Sequence, residues 1–203
     1  MSAGAGAALV VHDLKNELGA LEAALERLAL APAAAAASAA HDQCRSLRQR
    51  LVMYLTLYGG ADELRAHCED ESPSELIAQV ARRHDRLDLP VAAQADADAP
   101  SFWYLDRRLV GLALDAAVHN AQRFARSAIR LGALEQDGHL VLSVDDDGPG
   151  LDPACPSDAF STGLGTALCR AVARAHGCRR ADGGVRLANR PEGGARFELW
   201  LPT

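Results

Sequence analysis

The sequence of 203 residues predicts a helical hairpin followed by a two-layer α+β sandwich. Along two segments of the first 60 residues, apolar side chains recur at alternating steps of three and four, which is typical of paired helices. From residue 73 onward, helical and strand-like patterns follow one another without regular alternation, which favours a sandwich. We therefore expect a dimerisation hairpin over residues 1–60, a linker over 61–72 and an α+β domain over 73–203.

Each of the two predicted helices carries a seam of apolar residues along one side. The first seam contains Val11, Leu14, Leu18, Leu21, Leu25 and Leu28. After a weak helix breaker, a second seam contains Cys44, Leu47, Leu51, Tyr54 and Tyr58, widened by Val52 and Leu55. A single hairpin cannot bury two such seams, so we expect two copies of the chain to associate as a four-helix bundle.

Local signals mark the end of the second helix and the start of the third. Gly59-Gly60 ends the second helix, and the acidic segment after it is expected to be a linker. Ser72 as N-cap, Pro73 at the first helical position and Glu75 form a capping box. A third helix is therefore expected to begin at residue 73.

The remaining elements complete the sandwich. Helices are expected over residues 106–126 and 166–176. Strands are expected over residues 91–95, 127–134, 139–144, 184–189 and 195–201. Turns at residues 135–138 and at Gly193-Gly194 join the last four strands into two hairpins.

Composition narrows the class of function. The net charge of -6 and the pI near 5.6 argue against a nucleic-acid-binding surface, so protein or small-anion partners are expected. No apolar run approaches the roughly 20 residues of a membrane span, and the first residues lack the basic region of a secretory signal. The five scattered cysteines fit a reduced compartment. A cytoplasmic protein is therefore expected.

Three polar residues are predicted to lie together on the first helix. His12 falls off the apolar seam, Asp13 is the nearest proton acceptor, and Asn16 lies one turn later on the same side. Phosphorylation of histidine requires an exposed imidazole with one nitrogen free to attack and the other held by an acceptor. Taken alone, the pattern also fits a solvated histidine on an amphipathic helix.

A second constellation follows a predicted strand. The Asp146 carboxylate can accept a hydrogen bond from an exocyclic amine, while the bare backbone at Gly148 and Gly150 passes close to a flat ring. An acidic turn or a cation-binding loop fits these residues as well.

Two further segments could hold phosphate or metal. Gly163-Leu164-Gly165 opens a helix, where backbone N–H groups and the helix dipole can bind phosphate. Asn120 offers an amide oxygen suited to Mg²⁺, and Arg123 offers a guanidinium for phosphate. Taken alone, the glycine pair is weak evidence, and the second pair also fits a polar helix end.

The order of these segments resembles that of two-component sensor histidine kinases. Residues 12–16 resemble the phosphoacceptor H box, residues 119–125 the N box, and residues 146–150 the G1 box. Gly163-Leu164-Gly165, with its helix ending in His-Gly, resembles the G2 box, and residues 189–197 resemble the last hairpin of the same domain. The resemblance spans nearly the whole chain, and it implies a four-helix dimerisation bundle followed by an ATP-binding domain of the GHKL (Bergerat) type.

The resemblance also implies residue roles. ATP would phosphorylate His12, with Asp13 orienting and deprotonating the ring, and Asn16 would position water for the reverse, phosphatase reaction. Asp146 would bind the adenine amino group, Asn120 would bind Mg²⁺, and Arg123 would meet a phosphate. The pocket and the phosphate site would be shaped by Gly148, Gly150, Gly163, Leu164 and Gly165.

The implied partners are the aspartate-bearing receiver domain of a response regulator, a second copy of the chain and a separate sensor protein. Three departures from the family pattern favour an alternative. Ala116 replaces a polar N-box residue, the segment between Gly150 and Gly163 is short, and no Arg or Lys occurs from residue 131 to residue 169. The alternative is a phosphorelay histidine phosphotransferase or response-regulator phosphatase whose ATP domain no longer turns over.

Overall fold

A computed structural model describes residues 3–59, 64–96, 99–151, 163–178 and 181–203, with side chains from residue 11 onward. The chain divides into two units, Met1–Glu63 and Leu64–Thr203. The first unit contains α1 (Ala3–Leu30) and α2 (Ala34–Tyr58), which pack on each other as the predicted hairpin. Within the described part of the chain, no helix is both long and apolar enough to cross a membrane.

The apolar seam of α1 is only half covered. Leu21 is buried, whereas Val11, Leu18 and Leu25 are 50%, 47% and 52% exposed. In α2, Met53 is buried, whereas Leu51, Leu55 and Tyr58 are exposed. Apart from Leu30 at the end of α1, we call the large exposed apolar residues of the two helices the hairpin stripe, which consists of Val11, Leu18, Leu25, Leu51, Leu55 and Tyr58.

The second unit is an α+β sandwich. In chain order its described elements are β1 (Glu69–Glu71), α3 (Pro73–His84), β2 (Val91–Ala95), β3 (Trp103–Leu105), α4 (Arg107–Gln122), β4 (Ile129–Gln136), β5 (His139–Asp146), α5 (Leu164–Ala175), β6 (Gly184–Asn189) and β7 (Ala195–Pro202). Five strands form one sheet in the order β2-β4-β5-β7-β6, in which only the β2–β4 pair is parallel.

The core lies between this sheet and the three helices. Alternate residues of β4, including Ile129 and Leu131, are buried, and their partners across the strand pair are Asp146 and Val144 of β5. The period of two therefore places Asp146, at the end of β5, on the same face as this buried apolar row. The fold thereby brings a carboxylate to the edge of the core.

Helix boundaries follow the predicted caps at one helix and depart from prediction at another. The Ser72 hydroxyl accepts a hydrogen bond from the Glu75 N–H at 3.4 Å, and Pro73 is the first residue of α3, as predicted. Helix α4 ends at Gln122, four residues before the expected Arg126. It ends early because the Asp147 carboxylate accepts the Arg126 N–H at 2.8 Å and draws the following segment toward β5.

Two other features differ from the sequence prediction. Residues 69–71, expected in the linker, form β1 and pair antiparallel with β3. The predicted four-residue turn is a two-residue turn, because Asp137 and Gly138 both have positive φ (52° and 71°) and match the twist of the flanking strands. The second helix ends at Gly59 as predicted, and Gly60 lies outside the described residues.

An ionic cluster joins the end of α3 to α4. Arg83 Nη2 donates to both carboxylate oxygens of Asp115, at 2.9 and 3.1 Å, and His84 Nε2 lies 2.9 Å from Oδ1. Burial raises the pKa of Asp115, but the hydrogen bonds from His84 and Arg83 and their charges outweigh burial. The net pKa is therefore below its usual value of 3.8, and the folded state stabilises the carboxylate form.

We expect this cluster to make folding acid-sensitive. Because the Asp115 pKa is lower in the folded state, its stabilisation is present above pH 3.8 and is lost as pH falls through the folded-state pKa. Asp115→Asn should lower the free energy of unfolding by about 1–3 kcal/mol near neutral pH and reduce the loss of stability in acid. Urea unfolding near neutral pH and in acid measures both effects, and an unchanged acid dependence would contradict the assignment.

Candidate functional site

A cavity of about 370 Å³ opens in the second unit, between α4, α5 and the sheet. Its walls are mainly apolar and come from α4, β5, α5, β6, β7 and a loop, so a flat ring could lie between them. The apolar residues that line it include Ala117, Ala121, Phe124, Val144, Leu151, Leu187 and Phe197.

Asp146 provides the charged group of the cavity. Its side chain is 7% exposed, and Oδ1 accepts the N–H of Gly148 at 2.8 Å and of Ala195 at 3.3 Å. Among the described residues, no protein donor is bonded to the second oxygen, Oδ2. The two backbone donors therefore fix the carboxylate while one oxygen can accept a hydrogen bond from a ligand.

The two glycines after Asp146 are required by the protein's own packing. A Cβ at Gly148 would lie 2.4 Å from the carbonyl oxygen of Phe124. Gly150 has φ +83°, and a Cβ there would lie 2.7 Å from Asn189 Oδ1. Only Gly150 lines the cavity, and Gly148 acts by letting the loop approach α4.

Helix α5 begins at the cavity. Gly163 is its N-cap at φ 68°, with no side-chain cap bond, and Gly165 and Thr166 of its first turn line the cavity. Leu164 is buried at 2% exposure, so only its backbone could meet a ligand. The positive end of the helix dipole therefore faces the cavity, which suits an anionic group.

Of the two N-box residues, the structure brings only Asn120 to the cavity wall. Asn120 lies in the last turn of α4, whereas the Arg123 guanidinium lies 5.5 Å from the centre of the Phe124 ring. Ala116 also lines the cavity, and a Cβ at Gly165 would lie 3.8 Å from its Cβ. Among the described residues there is no cluster of three His, Cys, Asp or Glu side chains that could hold a metal ion.

Cys169 lies in the cavity floor, a position that sequence reasoning missed. Its thiol donates to the carbonyl oxygen of Ala113 at 3.5 Å, and burial raises its pKa to about 12. The thiol is therefore neutral and adds a polarizable but uncharged surface to the cavity.

The predicted phosphoacceptor group comes together on α1. The His12 side chain is 69% exposed, and its Nδ1 lies 3.8 Å from Asp13 Oδ1 and 3.2 Å from Asn16 Nδ2. Both neighbours approach Nδ1, so Nε2 is the nitrogen left toward solvent. If Nδ1 carries the proton, it can donate to Asp13, and Nε2 keeps a lone pair. The Asn16 amide nitrogen is itself a donor, so it would need an unprotonated Nδ1 unless the amide is rotated to present its oxygen.

Comparisons with known proteins agree with this architecture. Residues 105–203 match the family described as histidine kinase-, DNA gyrase B-, and HSP90-like ATPase. The sensor histidine kinase CpxA of Escherichia coli is 33% identical over 106 residues, which cover 44% of this chain and 22% of CpxA. The sensor protein kinase CarS of Pseudomonas aeruginosa is 29% identical over 206 residues, 94% of this chain and 44% of CarS. The chain thus spans less than half the length of either relative.

Solved structures share the fold. The histidine kinase AdeS of Acinetobacter baumannii superposes with a TM-score of 0.65 at 19% identity, covering 94% of this chain and 97% of AdeS. Full-length ShkA, solved in complex with AMPPNP, gives a TM-score of 0.64 at 21% identity, covering 100% of this chain and 46% of ShkA. The matched ATPase family and the sequence relatives, together with this shared fold, identify the chain as a member of the two-component histidine kinase family with a GHKL-type ATPase domain.

Proposed function

We propose that the chain is a protein-histidine kinase that moves the γ-phosphoryl group of ATP to His12 and then to an aspartate of a response-regulator receiver domain. The observation that carries the proposal is the Asp146 carboxylate, which is held by two backbone N–H groups and keeps one oxygen for a ligand in an apolar cavity. This arrangement suits the amino group and the flat ring of adenine.

ATP fits the cavity residues. The adenine amine would donate to Asp146, the ring would lie against the apolar walls, and the phosphates would meet the first turn of α5 at Gly163, Leu164 and Gly165. ShkA, which shares the fold, was solved with the ATP analogue AMPPNP. Asn120 could supply one oxygen to Mg²⁺, with phosphate oxygens and water completing the shell, and Arg123 could neutralise phosphate charge.

The chemistry at His12 follows from its neighbours. With the proton on Nδ1, the Nε2 lone pair attacks the γ-phosphorus of ATP, an N–P bond forms, and the bond from that phosphorus to the β–γ bridging oxygen breaks to release ADP. The ring becomes positive in this step, and Asp13 accepts its Nδ1 proton. In the second step the receiver aspartate attacks phosphorus, the N–P bond breaks, and the ring regains the Nδ1 proton. The histidine kinase ThkA, solved in complex with the response regulator TrrA, shares the fold of this chain with a TM-score of 0.66, which supports such a partner.

The reverse reaction assigns a role to Asn16. Its side-chain amide lies one helical turn from His12 on the exposed side of α1. An amide at this position could orient water toward the phosphorylated aspartate of a docked receiver domain. The same surface would then serve phosphorylation and dephosphorylation of the regulator.

We further propose that the hairpin stripe joins two copies of the chain into a four-helix bundle. Leu18 and Leu25 repeat at seven residues, the spacing of a coiled-coil seam, and both are about half exposed in one copy. A separate sensor protein would then act on the dimer.

The dimer predicts a solution mass of twice 21.4 kDa at micromolar concentration. Leu25→Glu should shift the protein toward the monomer, because a charge would be buried in the seam. Leu30→Glu is the matched control, since Leu30 is 88% exposed at the end of the same helix. Light scattering measures both variants. A wild-type monomer, or equal effects of the two substitutions, would contradict the bundle.

A second function is favoured by Ala116. This residue lines the cavity but brings no ligand for metal or water, and the sequence has no Arg or Lys from residue 131 to residue 169. The second function is that of a phosphorelay histidine phosphotransferase or a response-regulator phosphatase. Such a protein would need the helical hairpin but would not need to turn over ATP.

Incubation with γ-labelled ATP and Mg²⁺ tests the kinase. Acid-labile label on the protein is the expected result, because a phosphorus–nitrogen bond hydrolyses in acid. No label and no nucleotide affinity would reject the kinase and favour the second function. In that case His12 should accept phosphate from a phosphorylated receiver domain.

A further inference from the structure

The loop that carries Asp146 is held from its far side by the β6–β7 hairpin. Asn189 is the last residue of β6, and its side chain bonds the backbone of Leu151. The Leu151 N–H donates to Asn189 Oδ1 at 2.6 Å, and Asn189 Nδ2 donates to the Leu151 carbonyl oxygen at 3.2 Å. The two residues are 38 positions apart in the sequence, so this contact is a tertiary one.

An asparagine suits this position because its amide oxygen accepts one hydrogen bond and its amide nitrogen donates the other. The pair of bonds reproduces the donor and acceptor pattern of a neighbouring strand, although no strand pairs with Leu151 in the described part of the chain. The same side chain explains Gly150, since any Cβ at that position would collide with Asn189 Oδ1.

Other residues of the hairpin hold the beginning of the loop. Arg190 Nη1 donates to the carbonyl oxygen of Asp146 at 3.0 Å, and the Ala195 N–H donates to the Asp146 carboxylate. A Cβ at Gly194 would lie against the same carbonyl group. The hairpin thus fixes the loop at Asp146, and among the described residues only the Asn189 side chain bonds the backbone of Leu151.

We propose that Asn189 is a positioning residue for the nucleotide, a role that rests on the proposed ATP binding. By fixing Leu151, it holds in place Pro149, Gly150 and Leu151, which line the cavity that the adenine ring would occupy. Asn189 itself does not line the cavity and acts through the loop backbone.

Two variants separate positioning from general stability. Asn189→Ala removes both bonds and should raise the Kd for MgATP by about tenfold. Asn189→Asp keeps the acceptor for the Leu151 N–H but sets a carboxylate oxygen against the Leu151 carbonyl. Its Kd should be raised as well, because the two oxygens repel each other.

Calorimetric titration with MgATP, together with the Tm of the nucleotide-free proteins, measures these effects. Gln94→Ala, which removes an exposed amide from the opposite edge strand, is the matched control and should leave the Kd unchanged. An unchanged Kd in both Asn189 variants, whether or not the Tm falls, would overturn the proposal. If the wild-type protein binds no MgATP, the proposed function fails as well, which distinguishes that outcome from a failure confined to Asn189.

Discussion

His12→Ala is expected to abolish acid-labile labelling by γ-labelled ATP while leaving nucleotide affinity unchanged. The imidazole Nε2 is the proposed nucleophile, and alanine offers no atom that can form the phosphorus–nitrogen bond, so the loss should exceed about 1,000-fold. His12 does not line the cavity, and binding of ATP should therefore be unaffected. Label retention after acid and base treatment, with calorimetry for binding, measures the two properties.

The hairpin offers a matched control for this experiment. His41 is also exposed and is also followed by an aspartate, Asp42, but it lies on α2 and has Arg45 where His12 has Asn16. His41→Ala should keep full labelling. Equal losses in the two variants would indicate damage to the hairpin, and label that persists in His12→Ala would reject His12 as the phosphoacceptor.

Asp146→Asn is expected to weaken nucleotide binding by about 10- to 100-fold with little change in fold. The amide oxygen can keep the two backbone N–H groups that Oδ1 now accepts, so the loop should remain in place. The amide nitrogen would then face the cavity, where a donor would oppose the donor of the adenine amine. Calorimetric titration with MgATP and with MgADP measures the change.

Asp147→Asn is the control for this substitution. The Asp147 carboxylate accepts the N–H groups of Arg126 and Ser127 and lies outside the cavity wall. Burial raises its pKa, but the hydrogen bonds from Ser127 and Arg126 outweigh burial and lower it strongly. The variant should be less stable and bind nucleotide within about twofold of wild type. If Asp147→Asn weakens binding as much as Asp146→Asn, the adenine contact is wrongly assigned.

Much of the fold follows from local signals in the sequence. The Ser72 cap and the Asp137-Gly138 turn involve residues close in sequence, where side-chain chemistry decides the backbone path. Strand β1 was missed because it has three acidic residues and exists only by pairing with β3, more than 30 residues later. The end of α4 was misplaced because Asp147, far along the chain, competes for its backbone.

The candidate site shows the same division. Three of the predicted site residues line the cavity, namely Asp146, Asn120 and Gly165. They could be predicted because each is a polar residue or a glycine at the end of a strand or helix. Asn189 and Cys169 gave no signal, since their roles depend on neighbours from other elements. Arg123 was chosen for its charge, but its guanidinium lies over Phe124 rather than in the cavity wall.

Because the apolar seam of α1 is only partly buried, the stability of the proposed dimer should depend on protein concentration. In the proposed dimer, Leu18 and Leu25 would be covered by the second copy, so part of the hairpin's folding free energy would be an association free energy. Each tenfold dilution would subtract about 1.4 kcal/mol from that contribution. Cellular abundance would then influence how much of the chain presents a rigid His12 surface, before any signal or nucleotide acts on it.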